Sequence, residues 1–363
     1  MLLPSQTVSP LLVPGPVIHK VKHHTWIDYY FTFLGLPSDP TYSYISCFHT
    51  ADTLVADLQQ FGDDHAIASV RRQLPIDSFH APETALLLKN AAPGGVQARA
   101  LSGVITTPLI NQGRVIGHSF EDSDAHYCIL GDIRPSNPNT SRGDQTLDVL
   151  QTIQNVLSSV GMDFRHVVRT WFYNDRILDW YAEFNAARST FFQRHGIALM
   201  PASTGIGVAN SAGAALVAKA IAVLPKSPGI AIRRVDSPLQ NEASKYGSAF
   251  SRALEVADPA ARVLYISGTA SIEANGQTAH VGNASKQIEK TLEVVEAILA
   301  RNAMSLSDTV RAIGYFRHSE HIPLWHDYCR ARKMPPLPIL LTECDICRDN
   351  LLFEIELDAA RQV

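Results

Sequence analysis

Two stretches of the chain share one pattern. Residues 145–173 read QTLDVLQTIQNVLSSVGMDFRHVVRTWFY, and residues 287–315 read QIEKTLEVVEAILARNAMSLSDTVRAIGY. The two stretches align without a gap, and identical residues recur at matching positions, among them Gln145 and Gln287, Leu157 and Leu299, Met162 and Met304, and Arg169 and Arg311. Self-similarity on this scale predicts two copies of one supersecondary unit in a pseudo-symmetric chain. We expect any site to lie between the copies, where divergence can make one copy catalytic.

Each copy has the order strand, helix, strand, helix, strand. A strand-like segment that ends in glycine precedes each copy, at 127–131 and at 265–268. In the first copy, apolar residues then recur at helical spacing, namely Leu147, Leu150, Ile153, Leu157 and Val160. A β-rich run follows at 166–173, then a second helical stretch at 179–195. Strand-like segments close the copies at 215–223 and 351–357. This order predicts an α+β fold with the helices packed on one face of a mixed β-sheet.

The first 120 residues are less regular. Residues 84–88, 97–107 and 114–120 have the composition of strands. They either add edge strands to the first repeat or form a partial third unit, and the sequence leaves both alternatives open. We predict an N-terminal domain at 1–235, with an extra N-terminal β-rich extension, and a C-terminal domain at 236–363.

The composition indicates a globular chain without a nucleic-acid or membrane signature. The 363 residues are 46% hydrophobic and carry a net charge of −4, and that length allows two domains with substantial cores. The chain has no long basic run and no window of roughly 20 apolar residues. Its apolar start is interrupted by prolines and lacks a preceding basic region, so we expect no signal peptide. Five cysteines, an odd number, predict reduced thiols and a cytoplasmic location.

The repeated units resemble the YjgF/RidA fold, whose members carry a strand ending in Ser-Gly, a long helix and a closing Glu-x-Glu strand. Ser267-Gly268 and Glu354-Ile355-Glu356 match that pattern in the second copy. More specific segments are FNAAR at 184–188, PASTGIG at 201–207 and EASKYGSAFSR at 242–252. With the length and the duplication, they make the chain similar to the chorismatases from about residue 127 to the C-terminus. The resemblance implies two tandem YjgF/RidA-like units that cleave chorismate to pyruvate and a cyclic acid.

The chain departs from the single-domain, imine-deaminating relatives. Those relatives place an arginine just after a proline, where this chain has Ser203 and Ile339. Neither residue binds an anion as a guanidinium does. The glutamate of the closing strand remains in the second copy as Glu354, whereas the first copy has the segment 217–219, Val-Ala-Lys. The deaminase pattern is therefore broken in both copies, and one acidic group remains.

Glu354 is the candidate general acid. Chorismate carries two carboxylates and an enolpyruvyl ether, and its cleavage needs an acid that protonates the methylene carbon of the ether. Apolar neighbours on the strand would raise the pKa of a carboxylic acid by desolvation, as a general acid at neutral pH requires. The alternative is that Glu354 and Glu356 lie together on a solvated strand face.

Cys347 is the second candidate catalytic residue. In the chorismatases that resemble 3-hydroxybenzoate synthases, a cysteine at this spacing before the glutamate accompanies an aromatic product. A glycine in the first strand accompanies it, and Gly268 is the candidate. The alternative is that Cys347 is a small buried packing residue. Cys344 and Cys347 also have CxxC spacing, but the chain has no second such pair. We therefore expect no metal there or at the histidines of 318–326.

Substrate binding is predicted from side chains of both copies. For the carboxylates, the candidate ligands from the first copy are Arg188, Arg169 and Tyr173. The resemblance favours Arg188, for which a solvated surface position on its helix is the alternative. Further candidates are Tyr246, Thr204 and Gly205; for Tyr246, which matches a pocket tyrosine of RidA-like proteins, packing near a loop is the alternative.

The sequence thus predicts a cofactor-independent chorismatase that makes a hydroxybenzoate, and we expect 3-hydroxybenzoate. One alternative is a chorismate hydrolase that stops at a dihydroxycyclohexadienoate. Another is a non-catalytic YjgF-type protein that binds a small ligand. The expected partner is the small-molecule substrate, with no nucleic acid and no membrane. We expect either a monomer with internal pseudo-symmetry or a small homo-oligomer.

Overall fold

Three β-sheets organise the chain. The computed structural model describes residues 17–34, 53–73, 81–88, 93–241 and 249–363. We call the three parts the N-terminal, middle and C-terminal units, after the sheet to which each contributes. The middle unit contains the first sequence copy and the C-terminal unit the second.

The N-terminal unit forms the first sheet. Its elements are β1 (Val17–Lys22), β2 (Ile27–Leu34), β3 (Thr53–Gly62), α1 (Asp64–Gln73), β4 (Glu83–Leu87) and β5 (Gly95–Ser102). The strand order is β1-β2-β5-β3-β4. β3 and β4 are parallel and are joined through α1, as expected for a β-α-β connection.

The middle unit forms the second sheet. Its elements are β6 (Thr106–Asn111), β7 (Arg114–Glu121), β8 (Ala125–Ile133), α2 (Arg142–Ser158), β9 (Val167–Asn174), α3 (Tyr181–Arg194), β10 (Ala202–Gly207) and β12 (Leu216–Pro225). The order is β10-β9-β12-β8-β7-β6, and the short β11 (Ala209–Asn210) pairs instead with β4 of the first sheet.

The C-terminal unit forms the third sheet. Its elements are β13 (Ala231–Val235), β14 (Ala253–Ala257), β15 (Ala261–Ala270), α4 (Ala284–Arg301), β16 (Thr309–Phe316), α5 (Ile322–Arg332), β17 (Ile339–Glu343) and β18 (Phe353–Gln362). The order is β13-β14-β15-β18-β16-β17, which is the order of the middle sheet. The predicted α+β class with tandem YjgF-like units is confirmed.

The two long helices begin and end in the same way in both copies. The side chain of Ser141 caps α2 by accepting the N–H of Asp144, and Asn283 caps α4 by accepting the N–H of Lys286. Such side-chain caps satisfy N–H groups that lack an intrahelical partner. A 3₁₀ turn follows each helix, at Phe164–His166 and Leu306–Asp308, and leads into the next strand.

The sheets bury both of their faces. Helices cover one face of the middle and C-terminal sheets, where Leu150, Ile153 and Leu157 of α2 are fully buried. The opposite faces of all three sheets meet in one shared apolar core. Side chains from β3, β9 and β16 meet there, with the rings of Phe61 and Tyr173 6.3 Å apart. The face of each sheet that points away from the helices is therefore buried between the units.

Both alternatives for the N-terminal region are partly correct. Residues 95–102 belong to a separate sheet whose described strands repeat the order of the other units with one edge strand fewer, which makes a partial third unit. Residues 106–121 add two edge strands to the middle sheet. The domain boundary at 235 stays a prediction; β13, which ends there, pairs with β14 in the C-terminal sheet. Among the described residues, no helix is long and apolar enough to cross a membrane.

Candidate active site

A cavity of about 550 Å³ lies at the seam between the middle and C-terminal units. Backbone hydrogen bonds join the two units here, from the N–H of Ser251 to the carbonyl of Pro201 at 3.0 Å and from the N–H of Gly207 to the carbonyl of Asp345 at 2.7 Å. The walls combine polar, charged and aromatic residues, which include Tyr181, Phe184, Asn185, Arg188, Ser203, Gly205, Phe250, Arg252, Gly268, Cys347, Arg348 and Glu354. The sequence analysis expected a site at this seam, and the cavity has the size of a small-molecule site.

Arg188 reaches the cavity from the inner face of α3. Only 2% of its surface is exposed, and its guanidinium lies over the ring of Phe184 at 4.9 Å. Nη2 donates to Oδ1 of Asn185 at 2.7 Å, and Nη1 lies 3.5 Å from Oγ of Ser203. Within the described ranges no carboxylate pairs with it, and Nε lacks a partner. Burial lowers the pKa of Arg188. A buried guanidinium with free donors is suited to bind an anionic ligand.

Glu354 faces the cavity from β18. Its strand neighbours Phe353 and Ile355 point into the helix-side core, and strand alternation directs Glu354 to the opposite face. It is 5% exposed, and burial, assisted by the negative charge of Glu356, raises its pKa to about 8. Arg169 and Arg252 act in the opposite direction. Glu354 and Glu356 do point the same way, but the face that they share is buried instead of solvated. At neutral pH the carboxyl of Glu354 is therefore mostly protonated.

Cys347 lines the same cavity from the loop between β17 and β18. Burial, together with the nearby charge of Glu354, raises the pKa of its thiol to about 12. The thiol is thus neutral at physiological pH. Cys344 borders a different small cavity beside Gly207 and Asp345, so the two thiols diverge. In the part of the chain that the structure describes, no group of three or more His, Cys, Asp and Glu side chains could hold a metal ion.

Gly268 lies in a β-bulge beside Glu354. Ser267 and Gly268 of β15 stand between two regular pairs with β18, where only Glu356 lies opposite them. The N–H of Gly268 donates to Oγ1 of Thr204 at 3.0 Å. A Cβ atom at position 268 would collide with a carboxylate oxygen of Glu354. Bulges of this kind often occur next to active sites, where they redirect a side chain.

Two predicted residues lie elsewhere. Arg169 and Tyr173 are not cavity residues, because the shared face of β9 is buried against the neighbouring sheets. Arg169 is fully buried and pairs with Glu356 at 2.9 Å. Tyr173 packs its ring against Phe61 in the core between the units. Thr204 touches the site through its hydroxyl, as described above. Tyr246 lies outside the described residues.

Three of the lining residues that the sequence analysis did not propose as site residues carry polar or charged groups into the cavity wall. Arg252 lies in the quoted motif at 242–252 and donates from Nη2 to the carbonyl of Asn241 at 3.0 Å. Burial lowers its pKa to about 10. Arg348 follows Cys347 directly and donates to the carbonyl of Gly276 at 2.6 Å. Tyr181, at the start of α3, forms a hydrogen bond with Cys347. Membership of the motif at 242–252 was the available signal for Arg252, and adjacency to Cys347 was the signal for Arg348.

Three arginine side chains therefore line the same cavity as one carboxyl group with a raised pKa. Arg188, Arg252 and Arg348 supply positive charge for a ligand that carries more than one carboxylate. Glu354 carries a proton that it could donate, in a position that excludes most water. Phe184 and Phe250 provide apolar walls for a ring. The cavity is thus equipped for acid-catalysed chemistry on a small polyanion.

Comparison with known proteins agrees with the class of fold. Residues 135–223, in the middle unit, match the family described as endoribonuclease L-PSP. A solved crystal structure of a chorismatase superposes with a TM-score of 0.63 at 19% identity, and the match covers 91% of this chain and 98% of that chain. The three units thus define a protein of the YjgF/RidA-like fold class.

Within that class, two curated proteins from Streptomyces hygroscopicus are similar in sequence. One is named 3-hydroxybenzoate synthase and is 26% identical over 281 residues, which are 69% of this chain and 79% of the relative. The other is named chorismatase and is 26% identical over 272 residues, 68% of this chain and 75% of the relative. The predicted resemblance to the chorismatases is therefore confirmed.

Proposed function

We propose that this chain is a chorismatase that cleaves the enolpyruvyl ether of chorismate into pyruvate and a hydroxybenzoate. The observation that carries the proposal is the carboxyl of Glu354, which is buried in a cavity lined by three arginines and has a pKa raised to about 8. Both curated relatives carry names of chorismate chemistry. The proposal depends on that combination of geometry and similarity.

The cavity suits the charge and shape of chorismate. The substrate has two carboxylates, and Arg188, Arg252 and Arg348 offer charge-assisted hydrogen bonds to them. The ring would lie against Phe184 and Phe250. Of the three, Arg188 is the most deeply buried, and its Nε has no hydrogen-bond partner among the described residues, so its guanidinium is the best candidate for a direct carboxylate contact.

Glu354 starts the reaction by transferring its proton to the methylene carbon of the enol ether. The resulting oxocarbenium ion is attacked by water or by a hydroxyl of the ring, and the adduct collapses to pyruvate. A proton lost later in the sequence restores the acid. Because the atoms of chorismate divide between pyruvate and a hydroxybenzoate without a change in redox state, the overall conversion needs no added oxidant or cofactor.

We expect the ring product to be 3-hydroxybenzoate. The support is the pair of residues Cys347 and Gly268, which both line the cavity next to Glu354. A neutral thiol acts here through its position and its hydrogen bonding, and not as a thiolate base. A hydrolase that stops at a dihydroxycyclohexadienoate is the second candidate, since one of the two curated relatives is named simply chorismatase.

The test is the incubation of purified protein with chorismate, in which pyruvate release is followed continuously and the ring product is separated by chromatography. Pyruvate and 3-hydroxybenzoate in equal amounts are expected. Equal amounts of pyruvate and a dihydroxy acid would leave a chorismatase but replace the product assignment. Binding of chorismate without pyruvate release would identify a non-catalytic YjgF-type binding protein and overturn the proposal.

A further inference from the structure

A buried ionic cluster lies directly behind Glu354. Glu356, two residues further along β18, is completely inaccessible to solvent. Its Oε2 accepts from Nη2 of Arg169 at 2.9 Å, and its Oε1 accepts from Nη2 of Arg311 at 2.8 Å. The indole N–H of Trp171 donates to Oε1 at 2.9 Å. Glu356 is thus held by three donors from β9 and β16.

The cluster is connected to the cavity wall by a chain of hydrogen bonds. Nη2 of Arg169 also donates to Oγ1 of Thr204 at 2.8 Å. The same hydroxyl oxygen accepts the N–H of Gly268 at 3.0 Å. The backbone of Gly268 lies so close to Glu354 that an added Cβ would collide with its Oε1. The fixed ion pair and the candidate acid are therefore separated by one threonine and one glycine.

The charges in this arrangement have a defined effect on Glu354. Arg169 and Arg311 hold the pKa of Glu356 below its usual range despite its burial, so Glu356 is an anion at neutral pH. Two carboxylates that share one buried strand face cannot both ionise without a large cost, and the unpaired one retains its proton. Glu354, which has no arginine bonded to it among the described residues, is the unpaired one.

We infer that Glu356, clamped by Arg169, Arg311 and Trp171, is a positioning residue whose fixed negative charge keeps Glu354 in its proton-carrying form. This inference rests on the proposed function in treating Glu354 as the general acid. Arg169, which the sequence analysis assigned to substrate binding, thereby acts behind the site instead of in it.

Other charged and titratable groups also face Glu354. The groups whose charges change its pKa are Arg169 of β9, Arg252 before β14 and Glu356 of its own strand. Further titratable groups lie on the other elements packed against it: Arg188 and Tyr181 of α3, Tyr315 of β16, and Cys344, Cys347 and Arg348 of the loop before β18. All the arginines favour the anion of Glu354. Burial opposes them, and Glu356 is the charged group that does so.

The first experiment compares wild type with Glu356→Gln, which keeps the volume but removes the charge. A general acid must be protonated, so the rate is retained below its pKa and lost as the pH rises through it. In wild type this loss is expected near pH 8. In Glu356→Gln it is expected about 1–3 pH units lower, because the repulsion from Glu356 is removed and only burial then opposes the arginines. The activity at low pH is expected to remain.

Arg169→Gln should shift the pH–rate profile in the opposite direction, and this variant remains informative if Glu356→Gln does not fold. Removal of this cation should move the alkaline loss of activity to higher pH. General damage to the fold would lower the rate in both variants without moving the two profiles in opposite directions. The matched control is Asp358→Asn, a buried acid on the same face of β18 that lies 3.7 Å from Arg311 and two residues further from Glu354; its profile should follow wild type.

The second experiment needs no substrate. Protein labelled with ¹³C at the glutamate carboxyl carbon is titrated by NMR, and Glu354→Gln identifies the signal of Glu354. A titration midpoint that falls in Glu356→Gln and rises in Arg169→Gln supports the inference; unchanged midpoints overturn it. If wild type titrates as expected but does not consume chorismate, the proposed function fails while the positioning of Glu354 stands. If chorismate is consumed and the midpoints do not move, only the inference fails.

Discussion

Glu354 is a carboxyl group in a place where carboxylates are rarely stable. Its closest charged neighbour on the strand is another glutamate, Glu356, and the guanidinium groups nearby are bonded to other acceptors. Burial and the anion of Glu356 favour the neutral acid, and these effects outweigh the arginines. A residue with a strongly raised pKa in a cavity is a candidate acid on physical grounds.

Glu354→Gln should remove nearly all turnover while the protein remains folded. The amide keeps the volume and cannot deliver a proton, and general acid catalysis contributes about 10²–10⁴-fold. Initial rates of pyruvate release and a thermal unfolding curve measure the two effects. Glu343→Gln on β17, which borders a different cavity, should behave as wild type. A Glu354→Gln protein that retains more than roughly a third of the rate would remove Glu354 from the mechanism.

Cys347 has the second residue-level role. Because its thiol is neutral, it should act after the proton transfer by Glu354, on the path toward the aromatic ring. Cys347→Ala should therefore keep pyruvate release within about an order of magnitude, or roughly 1.4 kcal/mol in the barrier. The ring product should shift from hydroxybenzoate toward a non-aromatic dihydroxy acid.

Paired quantification of pyruvate and hydroxybenzoate tests this prediction. Cys344→Ala is the control, since that thiol is buried beside another cavity. An unchanged product ratio in Cys347→Ala would mean that the thiol only packs, and the 3-hydroxybenzoate assignment would lose its main support.

At the scale of elements, the bulge in β15 brings the backbone close to the acid. A methyl group at position 268 would collide with the end of the Glu354 side chain, which is flexible, and would approach Cγ2 of Thr204 to 3.2 Å. Gly268→Ala should thus displace the carboxyl without unfolding the sheet. We expect turnover to fall by about tenfold or more, in line with a displaced catalytic group.

Gly205→Ala is the matched control for Gly268→Ala. Gly205 also lines the cavity, but the nearest atom to an added Cβ is Nδ2 of Asn174 at 4.0 Å. Rates and products of the two variants are compared at saturating chorismate. If both substitutions lowered turnover equally, the loss would be due to the smaller cavity volume and not to a displaced Glu354.

Helix α3 brings Arg188 to the cavity on its inner face, next to Phe184. Loss of a charge-assisted hydrogen bond costs about 1.5–3 kcal/mol, so Arg188→Ala should weaken the binding of a dicarboxylate by roughly 10- to 150-fold. Calorimetric titration with the product or chorismate measures the change in Kd. Arg194→Ala, at the exposed end of the same helix, should have no effect. Unchanged binding in Arg188→Ala would shift the carboxylate contact to Arg252 or Arg348.

The elements of the two copies could be predicted from sequence, and so could part of the site. Helical spacing found α2 and α4, and the motif resemblance brought Arg188, Glu354, Cys347 and Gly268 to one cavity. Arg169 was misjudged because strand alternation gives the face of a residue, and not what covers that face. The N-terminal unit has no detectable copy of the motif, so its sheet could not be derived from the repeat.

At the scale of the whole molecule, the three units place different charges at equivalent positions near their common centre. Asp57, Arg169 and Arg311 each lie four residues before the clustered rings of Phe61, Tyr173 and Tyr315. The residues two positions after Asp57, Arg169 and Arg311 face the same way, and each pairs across its sheet with a residue of the closing strand. These closing-strand residues are Gln97, Lys219 and Glu356. Three identical units would bring like charges together here, which is unfavourable in a low-dielectric interior. The divergence of the copies thus favours assembly within one chain.

The ion pair between Asp57 and Lys219 tests whether unlike charges at the common centre stabilise the assembly of the units. Nζ of Lys219 lies 2.6 Å from Oδ2 of Asp57, and both side chains are almost inaccessible. Breaking a buried pair by removing one partner costs about 3–5 kcal/mol, because it leaves a buried charge uncompensated. Asp57→Ala should lose that much stability toward urea, and Asp57→Ala/Lys219→Met should recover most of it.

The pH dependence of the single variant provides the sharper measurement. Burial lowers the pKa of Lys219, so without Asp57 the folded protein binds fewer protons than the unfolded chain. The free energy of unfolding of Asp57→Ala should therefore rise with pH, because Lys219 needs no partner once its amine is neutral. The difference in free energy of unfolding between Asp57→Ala and wild type should shrink accordingly. Glu289→Ala, which breaks the exposed pair with Lys286, should change stability by less than about 1 kcal/mol at every pH. If the double variant is no more stable than Asp57→Ala, the central charges are not what joins the N-terminal and middle units.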